Sequence, residues 1–161
     1  MMAGAKAPEG KGKGMKNARG LIGLPVVMES RTLGRVSAVE LEPGLRALSG
    51  LYFSCGLAGS RRVSCGDLDL IGDVAVLVHA TGKRSQPPAP PLPRRAVSPD
   101  GSRLGAITDA IIDEETFQVP LLELSGGYLD DLTQGRVRTG AFSVTEDGDV
   151  IIDVPKGEEG S

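Results

Sequence analysis

The chain has 161 residues and a formal net charge of −3, and 40% of its residues are hydrophobic. This length can bury one or two small cores, and no apolar run approaches the ~20 residues of a membrane-spanning helix. Two cysteines and one histidine are too few for a disulfide framework or a typical zinc site, so neither a metal nor a cofactor is expected. The 23 glycines and 11 prolines favour many short strands over long helices.

The opening residues, 1–19, lack hydrophobic periodicity and carry five cations against one acid. Such a segment buries too little apolar surface to fold by itself, so a disordered basic arm is predicted. Its lysines could make weak, salt-sensitive contact with nucleic acid. These lysines are Lys6, Lys11, Lys13 and Lys16.

Residues 20–82 contain short runs rich in valine, leucine and isoleucine, separated by turn residues such as Pro43 and Gly44. In one run Leu51 and Phe53 alternate with more polar neighbours, a period of two that is typical of a half-buried strand. These residues are predicted to form a first small β-domain.

A proline-rich segment follows at residues 83–95, with five prolines between positions 87 and 93 and four cations. Proline removes backbone donors and favours extended polyproline II geometry, so a stiff basic linker is predicted. We therefore expect a second, separately folded domain at residues 96–155, followed by a tail at 156–161.

The second domain repeats the order of apolar runs in the first, which indicates a duplication. At an offset of 71 residues Gly34 falls on Gly105, and an offset of 76 then pairs Val76 with Ile152. The two glycines are predicted to occupy a turn or bulge where a side chain would clash or φ is positive. Each copy is expected to close into a small barrel, because closure protects short strands from edge exposure.

Residues 126–135 are present only in the second copy, where the spacing of two leucines allows a short helical turn. An exposed aromatic residue beside acids supplies contact area and charge selectivity, so this segment is a candidate contact for a basic protein partner. The candidate residues are Tyr128, Leu129, Asp130 and Asp131.

Three segments of the first copy resemble the PRC-barrel family: GLIGLPVV at 20–27, LGRV at 33–36 and DLDLIGDVAVLV at 67–78. The family includes the cytoplasmic part of the photosynthetic reaction-centre H subunit and the C-terminal domain of a ribosome maturation factor. The resemblance implies an all-β fold of two small antiparallel barrels in tandem. It also implies use as an assembly or binding module.

No group of residues in the sequence indicates catalysis. His79 is better explained as a half-exposed residue at a strand end than as a general base. Cys55 and Cys65 fall on different predicted strands and suit small wall residues in a reducing cytosol. Asp67 and Asp69 alternate with leucines, as on the wet face of a strand, and lack the spacing of a calcium loop.

The sequence therefore predicts a non-enzymatic binding or assembly module of the bacterial cytosol that acts through protein–protein contacts. An alternative is accessory RNA binding or ribosome-assembly binding, in which the cations of the arm and the linker contact phosphates. The oligomeric state and the identity of the partner are left open.

Overall fold

The computed structural model describes residues 14–126 and 136–153. Short strands dominate them, and none of their helical turns has the length and apolar character needed to cross a membrane. The elements are β1 (Met15–Asn17), α1 (Ala18–Leu21), β2 (Pro25–Met28), β3 (Arg31–Leu41), β4 (Leu48–Ser54), β5 (Ser60–Ser64), β6 (Leu68–Ile71), β7 (Val76–Val78), β8 (Lys83–Arg84), β9 (Arg94–Val97), β10 (Arg103–Asp113), β11 (Leu121–Gly126), β12 (Arg136–Thr139), β13 (Phe142–Val144) and β14 (Val150–Ile152), with 3-10 turns at Gly56–Ala58 and Cys65–Asp67.

The described strands form two seven-stranded sheets, each curled into a half-barrel. The first sheet has the order β6-β7-β2-β3-β4-β5-β8. The second has the order β13-β14-β9-β10-β11-β12, with β1 added beside β10. Six strands thus follow the same order in both sheets, and each sheet carries one extra strand. The predicted all-β fold is confirmed.

The longest strand of each sheet, β3 or β10, bends at the same place. Both have eleven residues, and each begins against one neighbour and continues against the next. A bulge shifts the register between Val36 and Ala38 in β3 and between Ile107 and Asp109 in β10. Because a bulge increases local twist, it lets one long strand curl the sheet around its core.

Each sheet also contains one parallel pair, whereas the sequence predicted antiparallel barrels. Val26 of β2 lies opposite Val76 of β7, and Ala96 of β9 lies opposite Val150 of β14. The last strand of each copy returns across the fold to lie beside the first, and this closing contact brings the two strands together in the same direction.

The same pairing corrects the predicted register of the last strand. Val26 and Ala96 occupy equivalent places, since each lies opposite the matching glycine of the long strand. Val76 therefore corresponds to Val150, an offset of 74, and not to Ile152. Hydrophobic residues alternate in both strands, so a slip of two residues leaves the apolar pattern unchanged and escapes detection in the sequence.

The buried apolar side chains of the described residues form one contiguous cluster that includes both sheets. The alternation of apolar and polar residues predicts ten core positions in the two copies; nine lie in this cluster, and Leu124 is half-buried and packs against it. The same alternation predicts that Glu123 faces solvent, but Glu123 is buried at 8% exposure, with Arg138 3.5 Å from its carboxylate. The other expected core residues are Val39, Leu41, Leu51, Phe53, Val76, Ala110, Ile112, Leu122 and Ile152.

Direct contacts join the two sheets at their hairpin loops. The Leu48 N–H donates to the Phe117 carbonyl at 2.9 Å, and the Val119 N–H donates to the Arg46 carbonyl at 2.8 Å. The Arg46 guanidinium also donates to the Phe142 carbonyl at 2.7 Å and lies over the Phe142 ring. The sequence predicts two separate barrels; among the described residues, the two sheets contribute to one buried cluster and contact each other through these loops.

The ordered segments also differ from the predicted boundaries. The arm was expected to cover residues 1–19, yet β1 and α1 place residues 15–21 against the second sheet, in a position that only tertiary contacts specify. The linker, residues 83–95, contributes β8 to the first sheet and the start of β9 to the second. The helical turn predicted for the second copy falls outside the described residues.

Candidate functional site

The candidate partner-binding residues Tyr128, Leu129, Asp130 and Asp131 lie outside the described residues. They belong to the connection between β11 and β12, whose counterpart in the first sheet is the short turn between β4 and β5. That turn presents Leu57 fully exposed.

The two matched glycines lie where a β-carbon has no room. A Cβ at Gly34 would overlap the carbonyl oxygen of Ser54, the last residue of β4. A Cβ at Gly105 would overlap the carbonyl oxygen of Ser125 at the equivalent place in β11. Gly105 also has φ +148°, a backbone conformation that disfavours other residues. Their role is to allow close approach of neighbouring strands.

The cations proposed for nucleic-acid contact have different environments. Lys6, Lys11 and Lys13 lie outside the described residues, and Lys16 forms part of β1. In the linker, Lys83 and Arg84 are exposed on the edge strand β8.

The other two linker cations are used within the fold. Arg94 donates to the carbonyls of Pro91 at 2.8 Å and Gly148 at 3.2 Å. Arg95 donates to the Asp149 carboxylate at 2.7 Å, a hydrogen bond that lowers the pKa of Asp149. Two of the four linker cations thus fasten the second sheet.

His79 lies between two carboxylates, with Nδ1 2.7 Å from Asp69 and Nε2 3.6 Å from Asp67. All three side chains are about half exposed, and no three metal-ligating side chains of the described residues converge on one point. Burial raises the pKa of the Cys65 thiol, which reduces the fraction of reactive thiolate at neutral pH. Neither feature assembles a nucleophile with a base.

A groove of about 350 Å³ lies between the two long strands, α1 and the proline-rich segment. Sequence reasoning missed it, because its walls come from four separated parts of the chain. The lining residues are Ala18, Arg19, Ile22, Ser37, Ala38, Val39, Leu41, Pro88, Ala89, Pro90, Pro91, Leu92, Pro93, Thr108 and Asp109.

Asp109 fixes one wall of this groove by anchoring the N-terminal segment. Its carboxylate, on a residue only 3% exposed, accepts from the Asn17 side-chain amide at 3.2 Å and the Arg19 N–H at 3.2 Å. It also accepts from the Ala110 N–H at 2.9 Å. The carboxylate thereby accepts a hydrogen bond from the first turn of α1. The N-cap residue of α1, Asn17, makes no side-chain hydrogen bond to cap that turn.

Another wall is an edge of β3 that no described strand covers. β2 pairs with β3 only as far as Arg35, so the same side of Ser37–Leu41 has no neighbouring strand among the described residues. At the equivalent edge of β10, β1 pairs with Ile111, Ile112 and Asp113. The groove therefore contains a strand edge that is vacant in the first sheet and filled in the second.

Two further features shape the chemistry of the groove. The buried Thr108 hydroxyl has no hydrogen-bond partner among the residues that the structure describes. Arg19 is exposed at the rim and forms no ion pair with a described residue. The groove is thus mainly apolar, with one unpartnered hydroxyl in its wall and one cation at its rim.

A comparison with protein-family models and with curated proteins finds no match to this chain.

Proposed function

We propose that the chain is a non-enzymatic, cytoplasmic module of the PRC-barrel type that binds a protein partner through the groove. The observation that carries this proposal is the groove itself. Its walls are mostly apolar, and an accessible apolar surface of this kind is typical of a protein interaction site. The family resemblance supports the same conclusion, since it implies an assembly or binding role.

Site-specific photo-crosslinking tests this function. A benzophenone amino acid replaces Ile22, which lines the groove and is 49% exposed. The matched control places the same group at Val74, which is 78% exposed on the β6–β7 hairpin outside the groove lining. Native cells that express each variant are irradiated, and the trapped species are identified by mass spectrometry.

We expect a protein to be crosslinked to the benzophenone at position 22 and not to the one at position 74. The purified partner must then bind the purified chain in titration calorimetry, and Ile22→Asp must weaken that binding while Val74→Asp does not. If irradiation at Ile22 traps no protein that binds when purified, the groove is not a protein-binding site and the proposal is wrong.

A second candidate function, RNA binding, is favoured by the charges of β5 and β8. Arg61 lies opposite Arg84, and Arg62 lies opposite Lys83. Glu40 neutralises Arg62, with which it forms an ion pair that raises the pKa of the arginine. The remaining like charges oppose one another across the strands, and a phosphate backbone would relieve their repulsion.

Filter binding of a single-stranded RNA at low salt tests this alternative. If the chain binds RNA, its affinity should fall steeply as the salt concentration rises. Binding should be lost when Lys83 and Arg84 are both changed to Glu. The groove variant Ile22→Asp should bind RNA as the natural chain does. Failure to bind RNA at low salt rejects this candidate.

A further inference from the structure

We propose that the groove takes an extended peptide segment of the partner, which adds as an antiparallel strand to the free edge of β3 at Val39–Leu41. This inference rests on the proposed function, because it specifies the chemistry of the partner at the same site. Three observations carry it: the vacant edge, the proline-rich segment that lines the same groove, and the apolar chemistry of the groove surface.

The second sheet shows what fits such an edge. β1 pairs antiparallel with β10, so that Lys16 lies opposite Ile112 and Met15 opposite Asp113. Leu41 occupies the position equivalent to Ile112 at the offset of 71 residues. The residues that follow them, Glu42 and Asp113, donate their N–H groups to Ala47 and Gln118 on the side of the hairpin partner. Because backbone groups alternate between the two sides of a strand, Leu41 directs its N–H and C=O toward the vacant edge, as Ile112 directs its own toward β1.

The proline-rich segment cannot fill this edge itself. Proline has no backbone N–H, so Pro90, Pro91 and Pro93 cannot form a regular ladder with β3. The segment instead lines the same groove as this edge, and Leu92 packs partly buried against the core. A peptide between the two would gain a hydrogen-bonding partner on one side and an apolar wall on the other.

The groove surface also suits the side chains of a strand. Alternate residues of an extended peptide point to opposite sides, so one set would contact Val39, Leu41 and Ile22 while the other faced solvent. The occupant is therefore an extended segment with alternating apolar residues.

Charges at the two ends of the edge set the direction of the peptide. Glu42 is exposed just past the end of β3, and Arg19 lies at the rim near α1. A peptide antiparallel to β3 begins beside Glu42 and ends toward α1. A lysine at its start and a glutamate at its end would meet opposite charges, which favours that orientation.

The test uses a fluorescent hexapeptide that begins with lysine, alternates valine and threonine, and ends with glutamate. Two variants of this peptide carry N-methyl groups on backbone amides. The second and fourth amides are methylated in one variant, and the third and fifth amides are methylated in the other. In a peptide strand added to β3, only one of these two sets of amides faces β3 and donates hydrogen bonds to it. Fluorescence anisotropy on the full chain measures the affinity of all three peptides.

If the peptide adds as a strand, one methylated variant should bind about tenfold more weakly than the parent peptide, because two hydrogen bonds are lost. The other methylated variant should bind with the affinity of the parent peptide. Hydrogen exchange of the Leu41 amide should slow at least tenfold when the parent peptide is bound. Ile22→Asp should abolish binding, and Val74→Asp should leave it unchanged. With Arg19→Glu, a peptide ending in lysine should bind better than one ending in glutamate.

The outcomes separate this inference from the proposed function. If both methylated variants bind with equal affinity, side chains alone hold the peptide and strand addition is wrong. Absence of peptide binding at millimolar concentration also overturns strand addition, even where the partner trapped at Ile22 binds when purified. If no protein is trapped at Ile22 and no peptide binds, the proposed function and the inference both fail.

Discussion

The edges of the long strands β3 and β10 differ, although the six strands around each follow the same order. β10 carries Asp109, whose buried carboxylate accepts three hydrogen bonds and holds β1 and α1 in place. The equivalent residue of β3 is Ala38, which can accept none through its side chain. Two sheets with one strand order thus present a filled edge and a vacant edge, and Asp109 in the place of Ala38 is one difference between them.

Substitutions in the core should have the largest effect, and they test whether the two sheets unfold as one unit. Leu51→Ala in β4 and Leu122→Ala in β11 remove matched, fully buried side chains. Each should cost about 2–5 kcal/mol of unfolding free energy, because the cavity left behind cannot fully collapse. The contiguous core makes us expect that either substitution weakens amide protection in both sheets, as measured by hydrogen exchange.

A loss of protection confined to the altered sheet would show that the copies fold independently, as the sequence predicted. Limited proteolysis provides the same contrast, since independent copies leave two folded fragments after cleavage between residues 83 and 95.

The next prediction compares the matched glycines. Gly34→Ala should cost about 1–3 kcal/mol, because its Cβ meets the Ser54 carbonyl oxygen in the next strand. Gly105→Ala should cost more, roughly 2–4 kcal/mol, because left-handed backbone strain adds to the same overlap. Denaturant unfolding measures both. Gly44→Ala is the control, since nothing lies within 4 Å of a Cβ there. Equal stability of all three variants would exclude a close-approach role.

The difference between the filled and vacant edges leads to a third prediction. Asp109→Ala gives β10 the residue that β3 has, and should cost about 1–2 kcal/mol. The loss should be local, with faster hydrogen exchange at Lys16 and Arg19 than elsewhere in the second sheet. Asp109→Asn keeps one acceptor oxygen, so its stability should lie between that of the natural chain and that of Asp109→Ala. Unchanged exchange at Lys16 would mean that packing, and not the carboxylate, holds β1.

The smallest expected effect concerns the connections that enter the long strands. β2 joins β3 through Glu29 and Ser30, both with positive φ, whereas β9 joins β10 through a longer turn closed by Asp100. Hydrogen bonds from the Ser98 hydroxyl and from the backbone N–H of Ser102 lower the pKa of Asp100 to about 2.

A lowered pKa in the folded chain means that ionised Asp100 stabilises the turn above its unfolded pKa of ~3.9. This contribution declines as the pH falls and is lost below about 2. The melting temperature of Asp100→Asn should therefore lie slightly below that of the natural chain at pH 7, and the gap should close between pH 4 and pH 2. A gap independent of pH would assign the effect to turn shape alone.

The all-β class, most of the core and the matched order of the two copies can be predicted from the amino-acid sequence alone. Alternating apolar residues specify which face of a strand is buried, so Leu51, Phe53 and Leu122 could be assigned to the interior. The glycines could be singled out because they recur at the same step of each copy.

Which strand edges meet depends on how the strands pack in three dimensions. Apolar periodicity records the faces of a strand and not its neighbours, so the parallel closing pairs, the offset of 74 and the place of β1 on β10 were not readable from it. The groove has the same origin, since its walls are β3, α1, β10 and the proline-rich segment. Residues far apart in the chain form one site when the packing of two sheets brings their edges together.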